Sequence, residues 1–219
     1  MDWQRATTNK QKESRKNDIF EATLSLFKKH SYENVSFNKI AKEANFTKSN
    51  MYRYFQSKED IFLSIFGEMF KTWQKHYIYE LKKLNENESY EVFAQVWVDS
   101  YLQYPNFLDL IPLLFLSLEK NSSYDQLIKF KRLSRDLLFQ VALEVGKIYP
   151  SLDPDRAFKL INSSFATTSS FWASDFQNEN LKKIYGQDEF KFLKPDFKQD
   201  LASSIEIFLR GLLINEKNI

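Results

Sequence analysis

The sequence predicts an all-α fold, and three observations carry that prediction. Glycine (4 of 219 residues) and proline (5) are too scarce to turn the strands of a sandwich or barrel. Apolar residues recur at three- and four-residue spacing from residue 16 onward, and the polar breaks between these stretches are short. The pattern amounts to about nine helices. They divide into a small N-terminal domain, residues 1–66 with the start of the fourth helix, and a larger helical bundle over residues 67–219.

Composition narrows the class of protein. Hydrophobic residues at 43% and charged residues at 27% are those of a chain that buries a core, so disorder is confined to the ends. The absence of cysteine removes disulfide, thiolate-metal and thiol redox chemistry. Met1 to Lys16 is polar and has no apolar stretch of a signal peptide, so a cytoplasmic location is expected. The longest apolar run, Phe107 to Leu118, contains Asp109 and Pro112 and falls well short of the roughly twenty residues that span a bilayer, so no membrane partner is expected. Charge is uneven: residues 1–66 hold 12 Lys or Arg against 8 Asp or Glu, and the remainder 19 against 21. That asymmetry favours a polyanion-facing N-terminus.

The first helix is read over Lys16 to His30, where Ile19, Ala22, Thr23, Leu26 and Phe27 share a face and Lys28, Lys29 and His30 suit the negative end of the dipole. Before it, the basic stretch Arg5 to Arg15, with Lys10 and Lys12, reads either as an arm that tracks a phosphate backbone or enters the minor groove, or as a frayed tail. Ser36 caps a second helix whose apolar face is Phe37, Ile40, Ala41 and Ala44. Asn45 tolerates the left-handed conformation that ends it, and Thr47 caps a third helix, Lys48 to Phe55, so a tight helix-turn-helix is encoded without glycine. Ser57 caps the fourth, which opens with Glu59 and Asp60 and repeats Ile61, Ile65, Met69 and Trp73 every four residues. Five more helices follow, broken at 85–89, Pro105, 121–123, 150–154 and 178–195.

The stretch Val35 to Leu63, with Ile40-Ala41, the run Tyr52-Arg53-Tyr54-Phe55 and Ser57-Lys58-Glu59, resembles the DNA-binding region of the TetR family of bacterial regulators. It departs at Asn45, where the family has glycine, and asparagine is the residue that best keeps that geometry. A short helix bearing Lys48, Ser49, Asn50 and Arg53 is narrow and polar enough for a major groove. Thr47, Ser49 and Asn50 are candidates for base edges or phosphates. Asn50 is the best candidate for reading adenine, because its amide both donates and accepts. Tyr52, Tyr54 and Lys58 suit the phosphate backbone, as their family counterparts do, with Ser36 in support. Ser36, Thr47 and Ser57 serve as caps with or without DNA, and Tyr54 and Phe55 also read as core.

The resemblance implies a body that binds a small molecule and pairs with a second copy through its last two helices. The final helix carries a broad apolar stripe, from which Leu201, Ile205, Phe208, Leu209 and Leu212 are the candidate dimer contacts. The helix before it holds small and hydroxyl residues from Asn162 to Ser170, which let a neighbouring backbone come close. Aromatic residues are 16% of the chain, and Trp97, Tyr101, Tyr104, Phe115, Phe130, Phe139, Phe165 and Trp172 are candidates to line a pocket for a small hydrophobic or aromatic ligand, or else fill the core. The two histidines, His30 and His76, are isolated, and no phosphate loop or metal-ligand spacing is present, so neither catalysis nor a cofactor is expected. The expectation is a ligand-responsive regulator, a repressor on an inverted-repeat operator of double-stranded DNA. The competing reading keeps the same head as a DNA-bound structural or adaptor protein that recruits a protein partner.

Overall fold

The computed structural model describes residues 9–175 and 178–214. Among these the secondary structure is entirely helical, with eleven α-helices, nine of them of seven residues or more. In chain order they are α1 (Asn9–Lys29), α2 (Phe37–Glu43), α3 (Lys48–Met51), α4 (Lys58–Leu81), α5 (Tyr90–Leu102), α6 (Pro105–Leu113), α7 (Glu119–Asn121), α8 (Tyr124–Ile148), α9 (Pro154–Asp175), α10 (Glu179–Tyr185) and α11 (Phe197–Leu213). None of the described helices is long and apolar enough to cross a membrane.

The chain forms two compact units. Among the described residues, the first comprises 9–67 together with 115–131, and the second 68–114 with 132–175 and 178–214. In the first, α1 packs on α2 and α2 on α3. Its core is apolar: Ile19, Leu26, Val35, Ile40, Met51, Phe62 and Phe66 are buried. α1 begins well before the apolar periodicity, so Lys10 and Lys12 lie on exposed helical turns and not on an extended arm, while Arg5 lies outside the described residues. Lys, Gln and Glu propensity builds these turns. The i,i+3 pairs Glu13–Lys16 (3.1 Å) and Arg15–Asp18 (3.5 Å) reinforce them without any buried face.

The segment 115–131 opens on a π-helical stretch, Leu114–Leu118, directly after α6. Pro112 lies inside α6, where it removes an N–H from the helical ladder and crowds the preceding turn, and the wider π turn follows from that disturbance. The segment 178–195, read from sequence as a break, contains α10 and a 3-10 turn, Asp188–Leu193. Asn178 caps α10 by accepting from the amides of Asn180 and Leu181 (3.0 Å each). None of the residues of α10 is buried, which is why no apolar period announced it.

In the second unit α11 packs against α9 and α5, and α6 against α9. The interior is dominated by rings: Phe70, Trp73, Tyr77, Phe93, Trp97, Tyr101 and Phe107 are all buried. Trp73 stacks with Tyr77 (centroids 5.1 Å) and with Tyr101 (4.5 Å), and meets Trp97 edge-on at 5.9 Å. Such pairs add about 0.5–1.5 kcal/mol each beyond the area they bury.

Candidate functional site

The turn between α2 and α3 sets the geometry of the head. Asn45 has φ 57°, in the left-handed region. Its N–H donates to Lys42 O (3.2 Å) and the next amide, Phe46, to Ala41 O (2.8 Å), which closes α2 in a Schellman motif and buries Phe46 as the hydrophobic end of that motif. Thr47 then starts α3, its Oγ1 accepting from Asn50 N (3.3 Å), and Ser36 starts α2 by accepting from Lys39 N (3.3 Å). These hydroxyls therefore serve as caps within the fold.

α3 is shorter than the sequence predicts. It ends at Met51, and Arg53 and Tyr54 donate to Asn50 O (3.2 Å) and Met51 O (2.9 Å), bonds of the tighter three-residue type. A four-residue helix has no intrahelical partner for most of its carbonyls, so its exit tightens. Met51 is fully buried and Phe55 nearly so, while Thr47, Lys48, Ser49, Tyr52 and Arg53 are exposed and Asn50 is half-buried. The polar residues thus share an open face. Tyr52, 53% exposed, leans on Phe37 (5.1 Å between centroids), with the Lys48 ammonium 5.9 Å from its ring. Tyr54 is half-buried and edge-on to Phe46 at 5.9 Å.

Lys58, expected to meet a phosphate, is also engaged within the fold. Its ammonium donates to Tyr32 O and Val35 O, both at 3.0 Å, and lies 4.1 Å from the Tyr32 ring centroid. A cation in the first turn of a helix opposes the dipole, and the two carbonyls offset that penalty. Of the residues around it, Tyr32, Gln56, Ser117 and Ser123 carry no mark in the sequence. The Tyr32 hydroxyl donates to Glu59 Oε1 (3.1 Å) and is hydrogen-bonded to Ser117 Oγ (2.9 Å). Burial raises the pKa of this phenol above its ordinary value, and the Ser117 bond acts against that. Asp60, buried, accepts from Ser123 N (2.7 Å), Ser123 Oγ (2.9 Å) and Gln56 N (3.2 Å). Ser57 Oγ caps α4 by accepting from Asp60 N (3.1 Å). The sequence marks Ser57 as that cap, but nothing local signals a partner 63 residues away.

The aromatic candidates do not converge on one pocket. Trp97 and Tyr101 meet at 5.7 Å inside the ring cluster, and Phe165 lies 6.3 Å from Phe70 in the same core. Phe130 belongs to the first unit, where it packs edge-on against Phe66 at 5.6 Å, and Phe115 belongs there too. Phe139 is 61% exposed on α8, and Tyr104 is half-buried beside His76. Trp172 donates from Nε1 to Asp109 Oδ1 (3.1 Å) and lines an open cleft of about 440 Å³ with Leu102, Lys194, Pro195 and Phe197. Helical spacing selected aromatic residues but not the directions in which they point.

The candidate dimer stripe is likewise split. Leu201, Ile205 and Leu209 are buried within the chain itself and cannot reach a second copy, whereas Phe208 and Leu212 are half-buried. The exposed row on α11 is Ser203, Ile207 (66% exposed) and Gly211, and on α9 it is Phe158 (48%), Asn162, Ala166 and Ser170. At i,i+4 spacing each row is one helix face.

A helical body joined to a capped helix-turn-helix with an open polar face defines a DNA-binding regulator. The profile described as "Bacterial regulatory proteins, tetR family" matches residues 19–65, and the one described as "Tetracyclin repressor-like, C-terminal domain" matches residues 68–216. The chain belongs to the TetR family of bacterial transcriptional regulators. It is 24% identical over 176 residues to the fatty acid metabolism regulator protein of Bacillus subtilis (strain 168), spanning 78% of this chain and 90% of that one. Its fold is similar to a TetR transcriptional regulator from Rhodococcus sp. RHA1 (TM-score 0.61, 17% identity, 94% of this chain and 98% of that one). It is also similar to Thermus thermophilus FadR, a repressor solved in complex with lauroyl-CoA (TM-score 0.58, 16% identity, 92% and 96%).

Proposed function

We propose that the chain is a homodimeric repressor that holds an inverted-repeat operator and releases it when a fatty acyl-CoA binds its body. Residues 1–66 act as the DNA-binding domain and residues 67–219 as the ligand-binding and dimerisation domain. The observation that carries the reading is the open face of the helix-turn-helix, where Thr47, Lys48, Ser49, Tyr52 and Arg53 are exposed around a fully buried Met51. That arrangement seats a polar ridge in a major groove. In this reading Asn50 meets a base, while Lys48, Arg53, Tyr52 and Tyr54 meet phosphates and Ser36 and Thr47 hold the helix starts. Lys58 holds the loop at Tyr32 and Val35 in place.

The acyl-CoA assignment is supported by the B. subtilis relative, named for fatty acid metabolism, and by the lauroyl-CoA complex of the T. thermophilus protein. Pairing is supported by the exposed rows on α9 and α11, whose small side chains let two backbones approach. Two recognition helices then lie about 34–36 Å apart, or a multiple of it, which demands an inverted repeat. Genome-wide mapping of bound DNA followed by anisotropy titration tests the whole reading. An inverted-repeat site should lose affinity about 100-fold, near 3 kcal/mol, in lauroyl-CoA, because a ligand shifts a two-state equilibrium only by its differential affinity. A monomer in sedimentation, or operator affinity indifferent to acyl chains from 8 to 18 carbons, counts against it. A second reading, the adaptor, is favoured by Phe139 and Leu143, exposed one turn apart on α8. It takes the lead if acyl-CoA does nothing and a protein partner protects that face.

A further inference from the structure

Two phenols and one hydroxyl in the centre of the second unit have no hydrogen-bond partner. Tyr77 Oη on α4, Tyr101 Oη on α5 and Ser164 Oγ on α9 are buried and unpaired. Their neighbours are provided for. Trp73 Nε1 donates to Ser100 Oγ (3.0 Å), which donates to Trp97 O (2.7 Å). Trp97 Nε1 donates to Thr168 Oγ1 (3.2 Å), which donates to Ser164 O (2.7 Å). The Tyr149 hydroxyl donates to Glu88 O (3.0 Å). These neighbours are satisfied, whereas Tyr77, Tyr101 and Ser164, on three helices, are the fully buried hydroxyls that are not; His76 Nδ1 and Ser134 Oγ, also unpaired, belong to half-buried residues.

Packing does not demand them. Phenylalanine fills almost the same volume, the chain uses it 21 times, and Phe70, Phe93 and Phe107 stand in the same core. An unpaired buried hydroxyl carries its full desolvation cost, whereas the phenyl ring carries none. Burial raises the pKa of both phenols well above the ordinary value, so each keeps its proton and remains a donor. Tyr77 and Tyr101 both stack on Trp73 and both lie against Trp97, at 5.1 and 5.7 Å, so the two phenols belong to one ring cluster; Ser164 joins it at one remove, through Thr168, which accepts from Trp97 Nε1 and donates to Ser164 O.

We infer that Tyr77, Tyr101 and Ser164 are the polar anchor of a ligand site inside the body, donating to an acceptor oxygen, a carbonyl or carboxyl, at the end of an apolar chain. The inference rests on the ligand-responsive reading above and adds which atoms of the ligand are read and by which residues. The apolar part of the ligand takes up ring contacts now made among Trp73, Trp97 and Phe107. The unpaired hydroxyls are satisfied only in the liganded state, so their cost in the free chain becomes differential affinity on binding, which is what a switch requires.

The test uses the full chain and two matched ligand pairs, followed by quenching of tryptophan fluorescence. Lauroyl-CoA is compared with its S-dodecyl thioether counterpart, which lacks only the carbonyl oxygen, and 2-decanone with decane. The wild-type chain should prefer the carbonyl member of each pair. Tyr77→Phe and Tyr101→Phe should each weaken that member about threefold to tenfold and leave the other unchanged, and Ser164→Ala should act in the same direction. Without ligand, both Tyr→Phe variants should melt no lower than wild type. Equal affinity within both pairs, a preference that survives in the variants, or a lower melting temperature in the unliganded variants overturns the site. In the last case the hydroxyls already have partners. If the ketone preference holds but lauroyl-CoA fails to bind, the acyl-CoA assignment falls and the hydroxyl site stands. If neither pair binds, both fall.

Discussion

The first unit and the second hold their shapes by different physics. Around the start of α4 the first unit is laced by hydrogen bonds, most of them charge-assisted: Lys58 on two carbonyls, Asp60 on Gln56 and Ser123, Tyr32 on Glu59, with the neutral pair Tyr32 and Ser117 beside them. The second is filled by rings, and among them Tyr77, Tyr101 and Ser164 are left unpaired. Directional bonds fix one arrangement of a few side chains, which suits a face that must match DNA within a fraction of an ångström. Ring packing is less directional and accepts a substituted neighbour at modest cost, which suits a body that must admit a ligand.

The largest expected effect breaks the ring side of that comparison. Trp73→Ala removes the ring on which Tyr77 and Tyr101 stack and should cost about 3–5 kcal/mol in urea unfolding. A loss near 1 kcal/mol would mean that the cluster collapses into the space, and that ring packing is softer than described. On the polar side, Asp60→Ala leaves the amides of Gln56 and Ser123 and the Ser123 hydroxyl without their acceptor. It should cost about 2–3 kcal/mol, with Asp60→Asn costing less. Equal effects of the two substitutions would show that the charge of Asp60 contributes nothing.

Smaller effects sharpen the contrast within the head. Asn45→Ala places an ordinary side chain at φ 57° and should cost about 1–2 kcal/mol, whereas Asn45→Gly should be close to neutral, as thermal melts would read. Two cations then separate contact from support. Arg53→Ala should reduce the slope of log K against log salt by about one without moving the melting temperature. Lys58→Ala should lower the melting temperature and move the slope less, because its ammonium is occupied by Tyr32 O and Val35 O. Identical salt slopes for the two variants would return Lys58 to the phosphate contacts.

How much of the molecule was legible in the sequence follows from the range of the interactions involved. Asn45 at the turn and Ser36 and Thr47 as caps are local devices, each a side chain bonded to backbone within a few residues, and each is found where the sequence marks it. The exposed face of α3 follows from the burial of Met51 alone. The α1 start was less legible, since helical propensity without a buried face leaves no period to read.

The sequence by itself determined the helical class, the turn chemistry of the head and the presence of an aromatic body, because these depend on residue type and on spacing within one helix. Only the tertiary structure decided that Lys58 turns inward, that Asp60 finds Ser123, that Phe130 and Trp97 lie in different units, and that Ile207 rather than Ile205 is open on α11. The physical reason is common to all four. A helical stripe wider than one face can be buried on either edge, and a polar group 23 to 63 residues from its partner can be satisfied in many ways, so the choice rests with whatever packs against it.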